Sequence, residues 1–106
     1  MQKTIFVITA LKLDFNTEEI VDWRVWGWYS KLKSAQSAVK WNCMDIYEEG
    51  TYTHVVIEEM PERIGSTPTE EYWYSALYRD KDDLKPIVYE IEKPEFLENT
   101  ICFGIG

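Results

Sequence analysis

Hydrophobic side chains recur along this chain in two rhythms. Residues 3–11, KTIFVITAL, are apolar on both alternating sets: Ile5, Val7 and Leu11 on one, Phe6, Ile8 and Ala10 on the other. Successive strand residues point to opposite faces. A run that is apolar on both belongs to a central strand covered on both sides. Residues 22–29, DWRVWGWY, are aromatic and β-branched. They predict a second strand, antiparallel to the first across a polar loop at 14–19 with Asn16 and Thr17 as turn formers. Gly27 inside it suits a bulge or the close approach of another group.

From residue 31 the rhythm becomes helical. At about 100° per residue, Leu32, Ala35, Val39, Cys43 and Ile46 fall on one narrow stripe. This predicts an amphipathic helix over 31–48 lying on a sheet, with Ser30 as N-cap and Gly50 ending it. Trp41 falls on the far side, Met44 on its flank, and Lys33, Ser37 and Lys40 nearby. A large aromatic facing solvent marks a contact surface, unless another segment such as the C-terminal tail folds over it.

Strand signals return at 52–60, 70–79 and 84–92. Two prolines and a glycine make 61–68 a loop. A charged turn at 80–83 joins the last two strands into a hairpin, with Ile87, Tyr89 and Ile91 alternating inward. Lys93-Pro94 opens a short turn or one-turn helix, and the apolar tail ICFGIG is expected to dock on the body. The order ββαβββ predicts a single α+β domain over 1–106, an antiparallel sheet of about five strands with one main helix packed on a face.

Composition narrows the class. A chain of 106 residues supports one core without staples. It has five Trp, seven Tyr and four Phe, but no apolar run long enough to span a bilayer. The N-terminus reads as a strand rather than a signal peptide. Cys43 and Cys102 are too few for a disulfide framework and are expected as buried thiols in a reducing cytoplasm. With the single His54 they show no zinc spacing.

Charge divides the chain. Residues 1–44 carry six basic and four acidic side chains, and residues 45–106 carry five basic and fifteen acidic, so +2 and −10 make the net −8. An acidic domain repels nucleic acid at long range, which argues against direct nucleic-acid binding. Neither a nucleophile elbow, a phosphate loop nor a dinucleotide fingerprint occurs. His54 is a candidate general base beside Glu58 on the same strand face, against the commoner role of a packed histidine. In Glu58-Glu59 and Glu70-Glu71 neighbours point to opposite faces, so neither pair chelates one ion. The reading is non-catalytic, with no cofactor and no metal.

The run Gly27-Trp28-Tyr29-Ser30, then Ala35 and Ala38-Val39, then Val55-Val56-Ile57-Glu58-Glu59 resembles a recurrent small domain of phage and bacterial proteins. There a strand ends in glycine–aromatic–aromatic–serine, an Ala-rich helix follows, and the next strand closes on Ile-Glu. Glu92-Lys93-Pro94-Glu95-Phe96-Leu97 and Phe103-Gly104-Ile105-Gly106 resemble tails of small proteins from phages of gut bacteria. The resemblance implies a setting, a phage or mobile element in a bacterial cytoplasm, and carries over no catalytic residue.

In that setting the expected function is a binding protein that counters host defence, its acidic surface covering a basic surface of a defence protein. The residues expected to contact that partner are Trp41, Met44, Glu58, Glu70, Glu71, Asp80, Asp82 and Asp83. The alternative is a sponge for a small nucleotide, with Trp23, Trp26, Trp28 and Trp73 stacking the base and Arg24, Lys33 or Lys40 meeting its phosphate. Two further alternatives are a structural homo-oligomer built on an aromatic edge and a small hydrolase using His54.

Overall fold

The computed structural model describes residues 4–47, 51–61, 69–77 and 86–98. Five strands make one antiparallel sheet: β1 (Thr4–Asp14), β2 (Glu19–Tyr29), β3 (His54–Pro61), β4 (Glu70–Leu77) and β5 (Ile87–Ile91). Their order across the sheet is β2-β1-β3-β4-β5. One helix, α1 (Leu32–Lys40), packs on a face, so the α+β architecture stands as the sequence predicts.

The two apolar sets of β1 explain its place. It lies between β2 and β3, and Phe6 to Leu11 are buried on both faces. Both neighbours run antiparallel to β1, hence parallel to each other. The segment β2–α1–β3 is therefore a crossover unit with β1 threaded through its middle.

On the helix side, Phe6, Ile8, Ala10, Val55, Ile57 and Tyr74 form the floor of the main core. Ala35, Ala38 and Val39 of α1 close it from above. The other face holds a smaller cluster: Leu11, Leu13, Val56 and Trp73 lie under Leu97, with Phe96 packed against them. Leu97 and Phe96 belong to a single 3-10 turn, Glu95–Leu97, entered through Pro94.

Three local expectations are corrected. First, α1 ends at Lys40 rather than 48, because Asn42 turns left-handed at φ 48°. Its Oδ1 accepts the Tyr47 N–H at 3.0 Å, which folds the chain back and buries Ile46 and Tyr47 completely. Cys43, which a longer helix would bury, is an exposed free thiol. Second, the N-cap is Lys31, not Ser30, and no side chain caps the first turn. Third, Ile87 and Tyr89 share a face but are exposed, since β5 is an edge strand; of the three residues expected to face inward only Ile91 packs, on the smaller cluster, while Val88 on the other face packs on the helix core. At Gly27 the expectation was a bulge or a close approach, and among the described residues nothing lies within 4 Å of a Cβ built there.

Gly27 does adjoin a bulge: the β1–β2 register shifts between Ile8 and Thr9, leaving Trp26 unpaired, and again between Lys12 and Leu13, leaving Val21 unpaired. Cys102, the 80–83 turn and the tail lie outside the described residues. No helix among the described residues is long and apolar enough to cross a membrane.

Candidate functional site

The strand order sorts the chain's charge. β3, β4 and β5 are neighbours and carry Glu58, Glu59, Glu70, Glu71 and Glu90, with no lysine or arginine among them. His54, at the start of β3, adds no positive charge at neutral pH, because burial lowers its pKa to about 4.

Register places these carboxylates opposite one another. Glu58 pairs with Glu71 on the helix-free face, and Glu59 pairs with Glu70 on the helix face. Like charges directly opposed across strands destabilise a sheet. The first pair is answered: Lys93 Nζ lies 3.0 Å from Glu71 Oε2, and Trp73 Nε1 donates to Glu71 Oε1 at 3.3 Å. Glu58 is fully buried, so it presents nothing to a partner's surface, contrary to its expected contact role.

The second pair differs. Glu59 Oε2 accepts the Thr69 hydroxyl at 2.9 Å, and no cation stands against either Glu59 or Glu70 among the described residues. Tyr72 lies beside them. Burial, then Glu59, then Glu70 push its phenol pKa up. One strand position further, Tyr74 is buried beneath α1; desolvation raises its pKa, Gln36 draws it down, and Glu90 raises it again. Gln36, Tyr72, Tyr74 and Glu90 line an open groove of about 290 Å³. A row of carboxylates with an aromatic ring among them is suited to cationic side chains, by charge and by cation–π contact.

The remaining candidates are dispersed. Trp41 and Met44 are exposed at 79% and 88%, beside the turn that ends α1. The four strand tryptophans do not converge. Trp23 and Trp28 lie on the helix-free side of the edge strand β2, opposite Leu11 and Val7. Trp26 turns to the helix side and stacks on Tyr29, centroids 6.2 Å apart. Trp73 is buried three strand spacings from β2, roughly 14 Å away. Arg24 lies on the helix face, 5.8 Å over the Tyr52 ring, and Lys33 and Lys40 are exposed on α1.

His54 and Glu58 share a face, but Val56 stands between them and the separation is roughly 13 Å. The histidine Nδ1 lies 2.7 Å from the Thr53 hydroxyl, and its ring packs on Phe15 at 5.4 Å. Asp80, Asp82 and Asp83 lie outside the described residues. No three His, Cys, Asp or Glu side chains converge as a metal site among the described residues.

Tyr72 and Glu90 escape sequence reasoning, and Glu59 enters it only as a carboxylate that chelates no ion with its neighbour. The signal for Glu59 is the symmetry of Glu58-Glu59 and Glu70-Glu71 in the sequence, which an antiparallel pairing of β3 with β4 sets one against the other. No protein-family model, curated protein or solved structure matches this chain.

Proposed function

We propose that this chain is a non-catalytic binding protein that lays the acidic β3–β5 half of its sheet over a basic surface of a partner. The observation that carries the reading is the Glu59–Glu70 pair, its first member half-buried and its second exposed. It is held in direct opposition without a cation among the described residues. Such a pair costs the free protein stability, and a partner's lysine or arginine relieves it on binding. The resemblance to small phage domains supplies the setting: a phage or mobile-element product in a bacterial cytoplasm, masking a basic surface of a host defence protein.

The test is capture of a partner from a bacterial lysate by the tagged protein, repeated with Glu70→Lys and with Glu18→Lys. Both variants change net charge equally, but Glu18 lies in the β1–β2 turn, outside the acidic half. Glu70→Lys is expected to weaken capture about tenfold or more, Glu18→Lys far less, and moderate salt to release the partner. A partner held equally by all three proteins would sink the reading.

A further inference from the structure

The outer edge of β2 carries a self-complementary sequence. Around Trp23 the chain reads Ile20-Val21-Asp22-Trp23-Arg24-Val25-Trp26. Stepping outward from Trp23 in both directions sets acid against base, valine against valine, and isoleucine against tryptophan. A strand that pairs with a copy of itself about a two-fold axis needs this property, because residue i meets j while j meets i.

The backbone faces the right way. Leu11, which pairs with Trp23, gives its carbonyl to the Thr53 N–H at 2.9 Å, on the β3 side. In an antiparallel strand one residue's N–H and C=O point to the same side. Leu11 and Trp23 are thus a non-hydrogen-bonded pair, and Trp23 directs its own N–H and C=O outward from the sheet. Val25, two residues on and in regular register, does the same. In the single chain the outward Trp23 N–H is met by Asp22 Oδ1 at 2.8 Å.

We propose that a second copy of this chain adds to the β2 edge, antiparallel and with Trp23 on the two-fold axis, extending the sheet from five strands to ten. The Trp23 N–H of each copy then bonds the Trp23 carbonyl of the other, and each Asp22 exchanges its own backbone for Arg24 of the second copy. Neighbouring registers that keep the outward groups matched set Asp22 against Asp22 or Arg24 against Arg24, and like charges directly opposed are unfavourable. Charge complementarity selects the Trp23-centred register. The edge also lies at the opposite end of the sheet from β4 and β5, which keeps the acidic halves apart. Val21, Trp23 and Val25, each about half exposed, are the side chains that pairing covers. This inference is independent of the proposed function.

The test is sedimentation of the wild type over roughly 1–300 µM, the range in which a micromolar dimer forms, with Asp22→Arg, Arg24→Asp and the double variant. Thermal melts confirm that each variant is folded. The expected result is a wild-type dimer, monomers for both single reversals, and a dimer restored by the double reversal, which rebuilds both ion pairs with signs exchanged. A wild type that stays monomeric, a dimer indifferent to the single reversals, or a folded double variant that remains monomeric would each overturn the proposal.

Discussion

Thr9 sits fully buried in β1, between Val25 and Val56, and its hydroxyl has no hydrogen-bond partner among the described residues. A buried polar group without a partner forfeits its hydration for nothing. Valine has nearly the same shape, so Thr9→Val is expected to stabilise the fold by about 1 kcal/mol, read as a higher midpoint in urea. His54 is the residue whose protonation couples to folding. Its folded pKa of about 4 lies below the ordinary 6.5, because burial disfavours the imidazolium. The unfolded chain therefore binds the proton first as pH falls. His54's contribution is fully present above about pH 6.5 and is lost progressively down to about pH 4, with a slope of at most about 1.4 kcal/mol per pH unit. Denaturant midpoints between pH 7 and 4 should fall more steeply for the wild type than for His54→Phe. Equal slopes would remove this role. Asn42 shows where residue-level reading failed: its left-handed turn follows from bonds to Tyr47 and Asp45, which the apolar stripe does not report.

Among the elements, β1 was legible from sequence because apolarity on both alternating sets leaves only an interior position. The boundaries of β2 were less so. Its two bulges let Trp26 and Ile20 reach opposite cores within one strand, which breaks the simple alternation that periodicity depends on. In β3 and β4 the sequence displays the glutamates but not their register, and register turns ordinary surface acids into an opposed pair. Neutralising one member removes the repulsion without removing packing. Glu70→Gln is expected to raise stability by roughly 0.2–1 kcal/mol while weakening partner capture. Lower stability in that variant would mean that the pair is already satisfied within the chain.

For the whole molecule, the sequence showed that acid accumulates after residue 45, and the topology turned that one-dimensional excess into a polarised sheet. The helix, β1 and β2 carry Lys12, Arg24, Lys33 and Lys40, while β3 to β5 carry five glutamates and no basic residue. Self-repulsion of this kind is screened by salt. The melting temperature is expected to rise between low and physiological ionic strength, and a fall would show that attractive pairs outweigh repulsive ones. The tryptophans named for a nucleotide pocket are spread out at this scale: Trp23 and Trp28 lie on one face of β2, Trp26 turns to the other, and Trp73 lies several strands away.

The threading of β1 between β2 and β3 has a consequence for synthesis. β1 is made first, yet its second edge is closed only by β3, which ends at Pro61. At ordinary translation rates of about 5–20 residues per second, those strands emerge roughly 2–10 s apart. During that interval FVITAL, a short β-prone run without charge or proline, can be shielded by β2 on one edge only. The nascent chain is therefore most vulnerable to aggregation before β3 emerges, and the lysines at positions 3 and 12, which bracket the run, are placed as its gatekeepers.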